Sequence, residues 1–417
     1  MNVTQGNIFW NEALGIIKKY PYLSRDKKCD VLVIGGGIGG ALTAFMQAKH
    51  GVNVIIVDKN IIGYGATLTT DGTLETRVDF NPKITKNIDQ KSIAKCNNLC
   101  TQALNDIQEI IDEISKDEEC KKYIDSIGFK NTDLLYFSNH ITNKIGMYKN
   151  FERLGKENKD IEYMEEDPLI NLRTGIIFPG KAAILNPYVL TQLVFLYLSK
   201  MENVEIYENT EITSISSKEE IVESITNNRF KIYSKSTILT NGIHMLEYLE
   251  QDSITLNKTF TVVTERIKDL DDNIINVVAK DINFPNTTIA FTKDKRIVLC
   301  GEDVRQNDRM VNDKYFINYA NGKYKKMYLT LRKLINLPSD IKITNCFYGM
   351  YLDSKDSLPI IDELNNMPNV YCNLGTGKNG VIFTMIGARM LKEVSKQYHT
   401  KDMYLFRENR EKTRNSK

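Results

Sequence analysis

Gly35-Gly36-Gly37-Ile38-Gly39-Gly40 is the stretch best suited to chemistry in this chain. It follows an apolar, β-branched run, Cys29 to Ile34, and opens a helical stretch from Ala41 to His50 that stops at Gly51. In a G-x-G-x-x-G turn of this kind Gly35 permits the tight turn. Gly37 leaves the backbone open to a diphosphate, and Gly40 lets the helix pack close on the strand. The N–H groups and the positive helix end around Ile38 to Ala41, Gly39 among them, then bind the anion. A second apolar strand, Asn53 to Asp58, ends in an acid 18 residues after the last glycine. Asp58 is placed to accept hydrogen bonds from both ribose hydroxyls of an adenosine, and its charge disfavours the 2′-phosphate of NADP.

By itself the motif leaves FAD and NAD open. Ile62 to Leu74 reads I-G-Y-G-A-T-L-T-T-D-G-T-L. Its Gly65, Ala66, Thr67, Thr69, Thr70, Gly72, Thr73 and Leu74 either pass over the same crevice or form an ordinary Gly/Thr loop. A second glycine cluster, Gly375-Thr376-Gly377-Lys378-Asn379-Gly380, lies between a strand and the last long helix, which begins at Val381. A long cofactor held at both ends requires such a pair of sites, and FAD fits this better than NAD.

The elements that position these residues follow from periodicity. Helices are expected over Ala94 to Ile127, Asn186 to Lys200 (with Pro187 in its first turn), Val311 to Leu334 and Val381 to Tyr398. Strands are expected at Lys130 to Ser138, Val204 to Tyr207, Glu211 to Ser216, Phe230 to Tyr233, Thr237 to Thr240 and Val370 to Asn373. Lys258 to Ile267, Thr287 to Phe291 and Arg296 to Gly301 alternate like antiparallel strands. A chain of 417 residues exceeds what one core usually serves, so two domains are expected. With 55 Lys and Arg against 53 Asp and Glu, the formal net charge of +2 gives no basis for a nucleic-acid partner. No apolar run is long enough to span a membrane, and the first ten residues lack a secretory pattern. A cytoplasmic protein is expected. Seven dispersed cysteines and four His, without C-x-x-C or H-x-x-x-H spacing, suggest neither a disulfide framework nor a metal site. Cys96 and Cys100 read as packing residues on a helix face.

Four blocks together resemble the FAD-dependent oxidoreductases of the D-amino-acid oxidase, glycine oxidase and sarcosine oxidase superfamily, in its bacterial amine-oxidase-like subgroup. They are Asp30 to Asp58, Gly65-Ala66-Thr67 through Gly72, Ile238-Leu239-Thr240-Asn241-Gly242, and Gly349 to Asp362 with the Gly375 to Gly380 loop. Their order matches over nearly the whole chain. The resemblance implies an α/β fold: a doubly wound, Rossmann-like FAD domain plus an α+β substrate domain whose large antiparallel sheet roofs the flavin. It places residues 1–93, 161–243 and 345–417 in the FAD domain and 94–160 and 244–344 in the substrate domain. Lys59, Ile212, Thr240, Asn241, Gly242 and Gly349 join the cofactor-binding set.

The implied reaction moves a hydride from a C–H next to nitrogen to flavin N5, after which the imine hydrolyses. The substrate is then a small amine or amino-acid derivative, and the electron acceptor is oxygen or a redox partner. Two alternatives remain, a dehydrogenase of a 2-hydroxy acid or other C–OH substrate, and a flavin-binding subunit without turnover of its own. Lys378 reads either as a cation beside the reduced flavin's pyrimidine end or as a solvated loop lysine. His244 reads either as a neighbour of the flavin ring or as a core histidine, and Arg77 and Asp79 as site residues or a surface ion pair. In covalent-flavin relatives a Cys stands where Gly349 falls here. Cys346 lies three residues earlier, so FAD is expected to be non-covalent. The subgroup's carboxylate-binding Arg position falls on Ala290, in Ile289-Ala290-Phe291-Thr292-Lys293, with Arg266 and Arg305 as possible replacement anchors.

Overall fold

The structure is a computed structural model that describes residues 4–410. Residues 157, 219, 251, 271–274, 284–285, 307–312, 338–340 and 397–399 lie outside the described set. Its first sheet grows from the strand Lys27–Ile34, whose Val31, Leu32 and Val33 are fully buried. That strand is central because it is apolar on both faces. It pairs in parallel with Val54–Val57 on one side and Lys231–Leu239 on the other. Val204–Tyr207 and Val370–Leu374 extend the parallel core, and Ile360–Glu363 closes one edge antiparallel. Val31, Val33, Val54 and Ile56 face a layer of helices: Ile38–Lys49, Gln90–Ile114, Pro187–Leu198 and Gly380–Met390. The alternate residues Leu32, Ile34, Ile55 and Val57 face a second core with Val222, Ile232 and Met350. This side is joined by the antiparallel strands Ile212–Lys218 and Ile221–Thr226 and by Ile243 and Met245 of the short 3-10 helix Gly242–Glu247.

The second sheet has ten strands among the described residues. Its central hairpins, Ile254–Thr264, Val277–Asp281, Thr287–Phe291, Ile297–Arg305 and Ile343–Ser354, run antiparallel. Lys130–Ser138 joins Val277–Asp281 in parallel and Thr174–Ile184 antiparallel. The helix Asp313–Leu334 covers the outer face through Phe316, Met327 and Leu331.

Most expected elements form, and the differences have local causes. Ser234 to Thr237 is polar, so two strands are expected there. One strand, Lys231–Leu239, runs through because the Ser234 and Thr237 hydroxyls pair with each other at 2.9 Å inside the core. Thr174–Ile184 is a strand despite Pro179 and Gly180. Both are exposed at a register shift opposite Asp133, whose carboxylate accepts the Gly180 N–H at 2.8 Å. The expected domain bounds also cross elements of the fold. A boundary at 93/94 would cut the helix Gln90–Ile114, whose Cys96, Cys100, Leu104 and Ile107 share the core of the parallel sheet's helices. Residues 174–184 and 345–354, expected in the FAD domain, hydrogen-bond into the ten-stranded sheet.

Near the end of the described chain, Arg410 is buried against Asp356, with Nε 2.9 Å from Oδ2. It also donates to the carbonyls of Leu358, Pro359 and Phe406 at 3.0, 3.1 and 3.2 Å. Arg410→Ala leaves a buried carboxylate without its partner, so the expected loss is about 3–5 kcal/mol. Chemical denaturation followed by tryptophan fluorescence measures it. A loss below about 1 kcal/mol, the range of an exposed pair, would show the clamp to be unimportant.

Candidate active site: a cleft between the two sheets

The glycine turn has the geometry its residues demand. Gly35 sits at φ +116°, and a Cβ on Gly40 would stand 1.8 Å from the Gly35 carbonyl oxygen. Helix and strand can approach this closely only with glycine there. Thr240, at the end of the neighbouring strand, locks the turn from the other side. Its hydroxyl donates to the carbonyls of Ile34 and Gly35 at 2.9 and 3.1 Å. Gly37 begins the helix Ile38–Lys49 without a side-chain cap. The Ile38 N–H donates to the Thr67 hydroxyl at 3.0 Å.

Two cavities meet at this helix end and share Ala66, Thr240 and Gly242 in their walls. The first, of about 190 Å³, is lined by Gly35, Gly37, Asp58, Lys59, Gly65 and Ile212, with Asn241 and His244 across from them. Asp58 accepts N–H bonds from Gly36 at 2.6 Å and Asn60 at 2.7 Å. Burial pushes its carboxyl above the ordinary value, against the pull of those two N–H groups. His244 is carried here by the short 3-10 helix Gly242–Glu247, and its Nε2 lies 2.9 Å from Lys59 Nζ. Burial, with Lys59 beside it, holds this imidazole below its usual value. The structure therefore places His244 at the Asp58 end of the cleft and away from Lys378.

The second cavity, of about 160 Å³, opens under the ten-stranded sheet. Ile38, Gly39, Thr67, Thr69, Thr70 and Thr73 form one wall. Gly349 stands opposite, and a Cβ there would be 2.0 Å from the Thr69 hydroxyl oxygen. Gly375, Gly377, Lys378, Gly380 and Val381 close the end. Lys378 Nζ lies 3.1 Å from Asp303 Oδ2, which also accepts from the Tyr351 hydroxyl at 3.3 Å. Burial alone would lower the Lys378 ammonium. The carboxylates of Asp303 and Asp71 outweigh it and hold it above its ordinary value.

Four expected residues line neither cavity and act by packing. Gly40 and Gly72 permit close approach, Gly72 to Trp10, and Leu74 is buried in the core. The Asn379 side chain clasps the Glu75 backbone, accepting its N–H at 3.1 Å and donating to its carbonyl at 2.9 Å. Arg77 and Asp79 are buried and form an ion pair at 2.6 Å outside both cavities. Ala290 is buried in a cluster with Tyr136, Phe178 and Val278. Arg305 is exposed, and Arg266 is an exposed partner of Asp294; neither lines the cleft. The wall also contains residues not singled out from sequence: Asp71, Thr259, Cys300 and Tyr351. Asp71 lies inside the glycine- and threonine-rich loop, but Cys300 and Thr259 sit in strands where only the sheet's register brings them to the cleft.

A family model described as "DAO: FAD dependent oxidoreductase" matches residues 30–394, and the chain belongs to that family. It is an FAD-dependent oxidoreductase, with FAD as its cofactor. Solved structures of similar fold include glycine oxidase from Bacillus cereus ATCC 14579, at TM-score 0.71 and 16% identity over 91% of this chain and 97% of that one. L-proline dehydrogenase from P. horikoshii aligns at TM-score 0.65 and 18% identity over 94% and 99% of the two chains. L-α-glycerophosphate oxidase from Mycoplasma pneumoniae aligns at 0.65 and 16% over 90% and 96%. A stretch of 72 residues, 17% of this chain, is 32% identical to the Bacillus subtilis (strain 168) protein named "Putative Rieske 2Fe-2S iron-sulfur protein YhfW" and spans 14% of its length. No helix among the described residues is long and apolar enough to cross a membrane.

The Gly349 contact gives a test of how the cleft is built. Gly349→Ala is expected to push Thr69 and its 3-10 turn Ala66–Thr69 off the roof strand, so that the folded protein retains under about a tenth of its FAD, the scale of one lost hydrogen-bonded contact. Adding Thr69→Gly removes the colliding atoms and should recover part of the retention, measured as FAD per chain after gel filtration. Full retention in the single variant would overturn the assignment of this contact.

Proposed function

We propose that the cleft holds FAD non-covalently, with the adenosine at the Asp58 end and the ring system at the Gly349 and Lys378 end. On this reading the protein oxidises a C–H bond next to nitrogen in a small amine or amino-acid derivative. The observation that carries the reading is the adjacency of the two cavities, which share Ala66, Thr240 and Gly242 in their walls, with the start of the helix Ile38–Lys49, whose N-cap Gly37 has no side chain, between them. A diphosphate belongs at such a helix end. The residues fit a polar ligand beside the diphosphate position: Asn241 Oδ1 is buried there without a hydrogen-bond partner among the described residues.

When bound, FAD supplies the two-electron acceptance that the side chains lack. The chain's own part is to bind, orient and balance charge. Asp58 and its backbone amides hold the adenosine ribose. Lys378 and the start of the helix Gly380–Met390 present positive charge where the ring system becomes more negative. Non-covalent binding is supported by the thiols near the roof. Cys346 and Gly349 point to opposite faces of their strand, and Cys346 packs on the outer core with Tyr348. Cys300 does line the cavity, but burial pushes its thiol up to about 11, which leaves it a poor nucleophile. Oxidation of a C–OH group wants a base for the hydroxyl proton. The expected candidate, His244, stands at the other end, and among the described residues no imidazole lines the ring end. This favours the amine reading.

The purified protein is expected to be yellow and to release intact FAD on acid precipitation. Flavin that stays with the precipitated chain would overturn non-covalent binding. Asp58→Ala removes a charged acceptor worth about 1.5–3 kcal/mol, so FAD affinity should fall about ten- to a hundredfold without loss of folding. Anaerobic mixing with amines, amino acids and hydroxy acids tests the reaction itself. Bleaching by at least one amine is expected, with glycine, sarcosine and D-alanine poor because no arginine among the described residues lines the cleft. Fast bleaching by hydroxy acids alone would replace the amine reading. Mixing the reduced protein with air-saturated buffer then separates oxygen from a redox partner as acceptor.

A further inference from the structure

We propose that Asp71 is the residue that selects the substrate: its free carboxylate oxygen binds a cationic amino group at the ring end of the cleft, and the substrate class is amines without a carboxylate beside the amino group. The inference rests on the amine reading above and names the group that would recognise the amine.

Among the described residues, Asp71 and Lys378 are the charged ones in the wall of the second cavity. Asp71 is only 4% exposed. Its Oδ1 is fully engaged, accepting from the Thr73 N–H at 3.1 Å and the Thr73 hydroxyl at 2.9 Å. Oδ2 has no hydrogen-bond partner among the described residues. A buried carboxylate oxygen left without a donor is costly, and it is retained where a ligand completes it. The side chain is also held in place. Thr73 begins the strand Thr73–Glu75, which pairs with Thr174–Ile184. On the other side the Trp10 indole donates to the Thr70 carbonyl at 2.8 Å, and the Thr70 hydroxyl accepts the Gly72 N–H at 3.0 Å. The free oxygen is therefore presented by a fixed turn.

The charge count points the same way. Lys378 is already paired with Asp303, so Asp71 leaves one formal negative charge in excess at this end. A substrate carboxylate would meet that excess with no free cation among the described wall residues to receive it. Arg266 and Arg305 lie elsewhere, and Ala290 is enclosed by Tyr136 and Phe178. An ammonium group neutralises the excess and supplies the missing donor. The rest of the wall near Asp71, including Thr259 and Cys300, is uncharged, so the contact decides between cation and anion.

The test uses the FAD-loaded, oxidised protein and three probes of one shape: tert-butylammonium, tert-butanol and pivalate. None has a C–H next to the polar group's attachment that could be oxidised, so binding is read alone, from the shift in flavin absorbance. The native protein should prefer tert-butylammonium over tert-butanol and reject pivalate. Asp71→Asn should weaken tert-butylammonium by about thirtyfold or more, as expected when one partner of a desolvated charge pair is lost. It should leave tert-butanol and the FAD dissociation constant within about threefold, a difference below 1 kcal/mol. Asp71→Glu, which keeps the charge, should keep the preference for the cation, and it also serves if the Asn variant does not fold. Equal tert-butylammonium affinity in the native protein and Asp71→Asn would overturn the proposal. So would FAD loss in Asp71→Asn that matches the loss of the amine, since Asp71 would then be holding the cofactor. If tert-butylammonium binding depends on Asp71 but no amine bleaches the flavin, the amine-oxidation reading fails and the recognition site stands.

Discussion

The contact between Gly40 and the Gly35 carbonyl governs the rest of this structure. With no side-chain atoms between them, the helix Ile38–Lys49 drops onto the end of the strand Lys27–Ile34. That descent sets the uncapped helix start where the two cavities meet. It also brings Gly36 within 2.6 Å of Asp58 and lets Thr240 reach across to the turn. Any side chain at Gly40 would lift the helix and break all three arrangements together. The roof repeats the device at Gly349, where Thr69 rests directly on the strand backbone. The cleft is thus defined by backbone approach, and its side chains add charge to a shape already fixed.

Those charges divide the cleft into unlike ends. At one end Asp58 is neutralised mainly by backbone amides, with Lys59 turned to His244. At the other, Lys378 stands among Asp303, Asp71 and Tyr351. A ligand long enough to span both would meet amide donors at its middle and opposite electrostatic settings at its tips. Behind the wall, a second layer of buried charge, Arg77 with Asp79 and Lys280 with Glu75, supports the short strand Thr73–Glu75 without entering the cavities.

Much of the nucleotide half was legible in the sequence because its signals are local. The turn Gly35 to Gly40, the acid at Asp58 and the loop Gly375 to Gly380 each lie in one short segment whose residue types leave few conformations. His244 was not legible, because a short 3-10 helix after Asn241 decides which way it faces, and no periodicity announces that turn. Cys300 and Thr259 were hidden for another reason. They come from strands that pair across a bulge near Lys258, and only the assembled register sets them together at 3.2 Å. Thr174–Ile184 escaped because Pro179 and Gly180 argue against a strand interior until a bulge is allowed for. Long-range pairing, in each case, carries information that no window of residues holds.

The central strand Lys27–Ile34 has a consequence for how the chain is made. Its partner on one side is near in sequence, but the Thr240 hydroxyl that seals the turn reaches back across 205 positions, and the Asn379 clasp on Glu75 spans 304. At a translation rate of about 5–20 residues per second, the Val31 to Ile34 edge waits roughly ten to forty seconds for Lys231–Leu239 to emerge. During that interval the nascent chain presents a short, uncovered, β-branched edge of the kind that recruits other strands. Lys27, Lys28 and Asp30 sit at its entrance, charges of the kind that disfavour pairing with another chain at such an edge.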